Sequence, residues 1–265
     1  VINGYSVDSV ALFDIKKITY QWFDHILKQG PKPEMLADKI NYEVMGANSW
    51  RSAPSLDKMH NAYLTFYLTD QKTGDFYALR PTKPAKTGYL SQQVDFADRQ
   101  TSTNNYYPDP ISRKEIDTSN GFVFISEPLS ESMLINGSFL AQLNISINKK
   151  DVDLGVTLYE LTPAGDYFHL SYYIGRASYA NDITKRTLLT PNAQTTIDVS
   201  NTHLVSKQLS KGSRLVVAIN VNKNPFSQLN YGTGNDVSTE SIHDAKEPLR
   251  INWYTNSYIR IPVWR

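Results

Sequence analysis

Cysteine is absent from the 265 residues, which rules out disulfides, thiolate metal sites and a cysteine nucleophile and leaves the redox compartment undetermined. Localisation is therefore unknown from the sequence. A charge excess is missing too: 27 Lys and Arg face 26 Asp and Glu, a formal net charge of +1, with no basic or acidic block. Nothing resembles a counterion-releasing surface, so nucleic acid is not an expected partner. Long apolar runs are lacking as well. The longest hold a few residues, against the roughly 20 that span a bilayer, and no charged-then-apolar leader opens the chain; no membrane is expected as a partner. The chain starts on Val1 and enters a helix almost at once, as a piece cut from a longer protein would. Its length allows one large β domain, or a medium domain with an appendage, to bury a core without staples.

What is present is tyrosine, 17 of them beside 10 Phe and 4 Trp, with β-branched residues in short runs between turn residues. That composition favours an all-β body. One helix precedes it. Between Asp8 and Gln29, the apolar residues Leu12, Ile15, Ile18, Trp22, Phe23, Ile26 and Leu27 recur at three- and four-residue steps. Ser6 or Asp8 is positioned to cap its start, and Gly30 with Pro31 and Pro33 to stop it. Past Pro33 the period becomes two, with Ile40, Tyr42 and Val44 alternating against polar neighbours as in a half-buried strand.

No further helix is expected. Ala62 to Thr69 and Asp75 to Arg80 flank a turn-rich connection and read as a hairpin. Phe122 to Ser126, Phe139 to Ile147, Leu154 to Leu161, Tyr167 to Ile174, Thr195 to Val199, Leu215 to Val221, Leu249 to Tyr254 and Tyr258 to Val263 are further candidate strands. Short strands with turn signals every ten residues or so describe a jelly-roll, antiparallel β-sandwich. Two stretches, Gly88 to Asn120 and Asn222 to Glu247, read as long polar loops, which in compact domains are usually functional, interfacial or mobile.

Catalytic motifs are largely missing. The nearest string to the nucleophile elbow G-x-S-x-G is Gly4-Tyr5-Ser6-Val7-Asp8, where Asp8 replaces the last glycine and no strand precedes. His25, His60, His169, His203 and His243 are scattered without metal-ligand spacing. His25 sits at the edge of the apolar helix face, while His169 and His203 fall in strand-like runs where structural histidines are usual. Asp151 and Asp153 could hold a calcium ion together with loop carbonyls, but two carboxylates are too few for a claim, and a polar turn opening a strand is the plainer reading. No metal or cofactor is called for. Trp50, Tyr63, Tyr67, Tyr77, Tyr172 and Tyr173 suggest a sugar-stacking face, although alternating aromatics in strands more often form core and cross-strand pairs. An independent carbohydrate-binding jelly roll is thus the rival reading.

Two strings narrow the choice. Trp22-Phe23-Asp24-His25-Ile26-Leu27-Lys28 and Val44-Met45-Gly46-Ala47-Asn48-Ser49-Trp50-Arg51 resemble the F-F-D-x-x-L-K and M-G-x-x-x-W-R junction of the cocaine esterase, α-amino-acid ester hydrolase, cephalosporin acylase and X-prolyl dipeptidyl-peptidase family. Phe122 to Leu129, Ile135-Asn136-Gly137, Leu161 to Gly165, Gly175 to Tyr179, Leu209 to Leu215, Ile242-His243-Asp244 and Tyr258 to Val263 extend the resemblance along nearly the whole chain. It implies that residues 1–51 end an α/β-hydrolase domain and residues 52–265 form a C-terminal, galactose-binding-like jelly roll. In that family the nucleophilic serine, the acid and the catalytic histidine all precede this helix. No catalytic residue is then carried by this chain, and no ester, amide or Xaa-Pro hydrolysis is expected of it alone. The implied role is structural and substrate-pocket-lining, with Tyr106 and Tyr107 as pocket-lip candidates. Leu12, Ile15, Ile18, Trp22 and Phe23 would face the upstream domain of the same polypeptide, or, in its absence, a second copy.

Overall fold

The computed structural model describes residues 1, 5–98, 106–117, 120–224 and 226–265. A 3-10 turn at Ser9–Ala11 precedes helix α1, Ile15–Lys28. Two short strands follow, β1 Ile40–Val44 and β2 Ser49–Ala53, paired with each other as a small antiparallel sheet.

The body begins with β3 Ala62–Thr73, β4 Phe76–Arg80, β5 Tyr89–Val94, β6 Ser112–Arg113, β7 Phe122–Ile125 and β8 Met133–Gly137. It continues with β9 Leu140–Ile147, β10 Asp153–Leu161, β11 Tyr167–Arg176, β12 Thr195–Val199, β13 Val205–Leu209 and β14 Arg214–Val221. A four-residue helix α2, Ile242–Ala245, and strands β15 Leu249–Tyr254 and β16 Tyr258–Trp264 close the chain. These fourteen strands follow one hydrogen-bonded path, β5-β15-β9-β16-β3-β4-β7-β14-β10-β11-β6, with β12 on β9 and β8 joining β13 to β16. The path folds over where β3 meets β4, whose register shifts between Leu68 and Lys72. Two layers result. Among the described residues, the strand pairings are antiparallel except the two-residue pairing of β4 with β7.

Alternation explains the core. Leu143, Ile145 and Ile147 of β9, with Ile251 and Trp253 of β15, face Leu154, Val156 and Leu158 of β10 and Val217, Ile219 and Val221 of β14 across one contiguous apolar interior. A smaller cluster of Val123, Ile125, Tyr159 and Val216 lies on the opposite face of that second layer. Strands β10 and β14 are thus buried on both faces, and the outer one is covered by the segment around Tyr106 and Ile116. In β10 the position beneath Tyr106 is Gly155, where a Cβ would overlap the tyrosine ring.

Several expectations need correction. Helix α1 starts at Ile15, seven residues after Asp8, and its cap is Asp14, whose carboxylate accepts the Lys17 amide at 3.0 Å. Asp8 is engaged elsewhere, and Leu12 lies outside the helix. The left-handed residue that ends α1 is Gln29 (φ 58°), with the Gly30 amide returning to the Asp24 carbonyl. The supposed loop from Gly88 holds strand β5, paired along its length with β15; residues 99–105 and 118–119 of that stretch lie outside the described residues. The second supposed loop contains α2, started by a capping box between Ser241 and Asp244. Strands β8 and β13 were not expected, and His203 sits in the loop before β13 rather than in a strand.

Candidate functional site

The M-G-x-x-x-W-R string forms the turn between β1 and β2, and its chemistry is that of a clamp. The Asp8 carboxylate accepts the amides of Gly46 at 2.7 Å and Asn48 at 3.2 Å, where Gly46 (φ 77°) and Asn48 (φ 48°) take left-handed conformations that turn both N–H groups inward. Asn48 Oδ1 in turn accepts the Ser9 hydroxyl and the Val10 amide, each at 3.1 Å. Trp50 Nε1 donates to the Val10 carbonyl at 2.9 Å, and its ring meets Phe13 edge-on at 5.4 Å. The lead-in to α1 is therefore fastened at four successive points. Burial, and then the neighbouring Asp8, raise the pKa of Glu43 beside this turn.

The turn is fastened to the sandwich through β13. Met45 N donates to the Ser206 carbonyl at 3.1 Å, and Gln208 N to the Met45 carbonyl at 2.9 Å. Beneath it, Lys207 Nζ lies 2.8 Å from Glu160 Oε2 and 4.7 Å over the Phe168 ring, against which Tyr5 packs edge-on. Ser213 donates to the other Glu160 oxygen at 2.7 Å, so in this ion pair, nearly removed from water, one carboxylate oxygen is hydrogen-bonded and the other meets the Lys207 charge.

The clamp holds α1 away from the body. No residue of α1 is buried. Ile15 is 67% exposed, Trp22 39% and Phe23 51%, while Leu12 just ahead of the helix is 73% exposed. Ile18, Trp22 and Phe23 line an open groove of 620 Å³ against Lys32, Leu36 and Lys39. Of the five interface positions expected from the sequence, Ile18, Trp22 and Phe23 thus share this groove, and Leu12 and Ile15 are exposed outside its lining. Ser6 is exposed.

Tyr106 and Tyr107 part company. Tyr106 is 0% exposed: its hydroxyl donates to Asn220 Oδ1, its ring covers Gly155, and its carbonyl accepts His169 Nε2 at 2.7 Å. Burial holds the Tyr106 hydroxyl well above its usual pKa and pushes that of His169 down to about 4. A side chain so enclosed fastens its own segment. Tyr107 is 48% exposed and meets the Tyr172 ring edge-on at 5.6 Å. It stands at the rim of a 430 Å³ cleft that includes Tyr173, Arg176, Tyr179 and His203, the last stacked on Tyr172 at 4.1 Å. Sequence reasoning missed this cleft because its walls come from three separate segments.

Asp151 and Asp153 are more than a polar turn. Asp151 accepts the Val152 and Ser178 amides, the Ser178 hydroxyl at 2.7 Å and Arg186 Nη2 at 3.0 Å. Asp153 takes Arg176 through both oxygens, at 2.8 and 3.1 Å, and Asn230 at 2.8 Å. Their oxygens are committed to protein donors, which brace the segments after β11 and β14. No cluster of three or more potential metal ligands occurs among the described residues. Of the suggested sugar platform, Tyr67 packs on Tyr258, Tyr77 on Phe122, and Tyr63 between His60 and Arg260.

A family model described as the X-Pro dipeptidyl-peptidase C-terminal non-catalytic domain matches residues 35–250. The chain belongs to this family. The match starts after α1 and takes in β1, the clamp turn and the sandwich up to the start of β15. Among solved structures, an aminopeptidase from the marine sediment archaeon Thaumarchaeota archaeon aligns with a TM-score of 0.79 at 20% identity, over 94% of this chain and 44% of that one. An α-amino acid ester hydrolase aligns at 0.76 and 18%, over 93% of this chain and 44% of that one. A CocE/NonD family hydrolase from Staphylococcus aureus gives 0.62 and 15%, over 94% and 45%. At these identities the likeness is one of fold, and the chain spans less than half the length of the proteins it matches. A search of curated proteins returned no match. By that family's description, the chain is a C-terminal non-catalytic domain of the X-Pro dipeptidyl-peptidase type.

Proposed function

We propose that this chain is the docking and pocket-lining module of a serine acyl hydrolase or peptidase, inactive alone and completed by an α/β-hydrolase domain upstream in the same polypeptide. One observation carries the reading: an apolar helix face that the sandwich leaves bare, held at a fixed angle by the Asp8, Asn48 and Trp50 clamp. A helix kept only for local stability would lay that face on its own core. Residues 1–51 then complete the upstream domain and residues 52–265 form the jelly roll, a division supported by the separate pairing of β1 with β2. Leu12, Ile15, Ile18, Trp22 and Phe23 form the contact. Of the pocket-lip pair, Tyr107 is the side chain able to meet a substrate, and Tyr106 anchors it.

Acyl transfer needs a nucleophile, a base to take its proton and donors for the oxyanion. Ser6 has no elbow around it, and among the described histidines His169 spends Nε2 on a carbonyl inside the fold. The test incubates this chain, and a longer form carrying the natural upstream segment, with an activated ester and a fluorophosphonate probe. The longer form should turn over and be labelled at one upstream serine, while the 265-residue chain shows neither. Stoichiometric labelling of the short chain would make it an enzyme in its own right and end the proposal.

A further inference from the structure

Strand β11 has an open edge inside the tyrosine-walled cleft. Its first residues are covered, since Tyr167 and Phe168 pair with β6 and the His169 amide donates to Ile111. Further along, the Tyr172 carbonyl accepts the His203 amide, whereas the Ala177 amide donates to Val152, on the segment leading into β10. Backbone groups alternate in direction along a strand. Tyr172, Ile174 and Arg176 therefore point their N–H and C=O groups away from β10, and Tyr173 and Gly175 point theirs toward it, in register with Val156 and Leu154. No backbone partner on that outer side is found for Ile174 or Arg176 among the described residues.

The surroundings keep that edge open. Across the cleft lie Asp198 of β12 and the loop after it with Ser200 and Asn201, and the volume of 430 Å³ falls within the about 300–1,000 Å³ typical of ligand clefts. Tyr107 and the stacked pair Tyr172 and His203 supply flat apolar walls beside the free backbone groups. Arg176 is held by Asp153, and Asp198 accepts Gln142 at 3.0 Å, so neither leaves a strong unpaired charge to select an ion. Unpaired strand backbone between aromatic walls fits a strand added at the edge, with main-chain bonds for affinity and ring pockets for alternate side chains.

We infer that this cleft binds a short extended peptide as an added strand on the Ile174 to Arg176 edge of β11, with an aromatic or large apolar side chain against Tyr107 and Tyr172. The inference goes beyond the docking role, because it requires only this chain and holds whether or not the cleft opens onto a catalytic centre.

The test titrates the 265-residue chain by calorimetry with an acetylated, amidated pentapeptide of alternating threonine and phenylalanine. Two further versions carry N-methyl groups on the even or on the odd amides. One methylation pattern should weaken binding about tenfold or more, the scale of a lost hydrogen bond, and the other should be tolerated. Ile174→Pro, which removes the outward N–H, and Tyr107→Ala, which removes the wall, should each weaken the parent peptide by a similar factor. If Ile174→Pro fails to fold, the paired methylated peptides and Tyr107→Ala decide alone. Equal binding of both methylated peptides, no peptide binding, or binding of cellohexaose in place of the peptide would each overturn the inference.

Discussion

At Gly155 a missing side chain decides where a whole segment lies. The Tyr106 ring occupies the space a Cβ would need, and its hydroxyl and carbonyl are taken by Asn220 and His169. Gly155→Ala should expel the ring, and limited proteolysis should then cut near residues 106–117 while β10 and β14 keep their amide protection. Tyr106→Phe, which leaves the Asn220 carbonyl oxygen without its donor, should cost about 1–3 kcal/mol in urea unfolding. His169 adds a pH dependence. Its folded pKa of about 4 lies below the ordinary value near 6.5. Above that ordinary value both states are neutral and the group contributes nothing to the pH slope. As pH falls toward 4 the unfolded chain takes up a proton that the fold refuses, so stability declines across that window and the decline stops below it, a loss of order 3 kcal/mol at most. His169→Gln, which can still donate to the Tyr106 carbonyl, should flatten the stability profile there. An unchanged slope would show that another group carries the acid sensitivity.

Among the elements, α1 and the strands differ in how much of them is local. Asp8→Ala removes the acceptor for two turn amides and should loosen the lead-in to α1 without unfolding the sandwich. Hydrogen exchange in residues 9–28 should accelerate several-fold while β9, β10 and β14 stay protected; equal acceleration throughout would mean that the clamp belongs to the core. The start of α1 was misread because the partners that capture Asp8 lie about 40 residues away in sequence, beyond any local window. By contrast, β12 and β15 were legible to the residue, since their alternating positions are apolar inside and polar outside. Strands β5, β8 and β13 were hidden by polar residues at inward or covered positions. Gln92 accepts Trp253 Nε1 at 3.1 Å, Asn136 donates to the Tyr42 hydroxyl at 2.9 Å, and Lys207 pairs with Glu160. Such residues look like loop until their partners are known. The apolar face of α1 was legible because amphipathic spacing is a local property, whereas the burial of Tyr106 depends on a glycine in another strand.

For the molecule as a whole, stability and association reside in different parts. The apolar interior lies between the two sandwich layers, and α1 contributes no buried side chain to it. The bare face that includes Ile15, Trp22 and Phe23 exposes apolar surface to water, which favours contact with any complementary apolar patch, a second copy included. Light scattering should therefore show the 265-residue chain gaining average mass with concentration. The double substitution Trp22→Ser, Phe23→Ser should return it to monomer mass at the same concentrations. Thermal unfolding should hardly notice, because substitutions at exposed positions usually fall within about 0.5 kcal/mol, worth roughly 1–2 °C in a domain of this size. The two readouts separate the alternatives. A variant that melts several degrees lower would mean that the helix packs on the sandwich in solution, so that its face was never available for docking. A variant that keeps its mass gain at an unchanged melting point would move the association to another surface and remove the helix face as the contact. Monomer mass with unchanged melting is the outcome expected of a module whose core is complete and whose docking face is not.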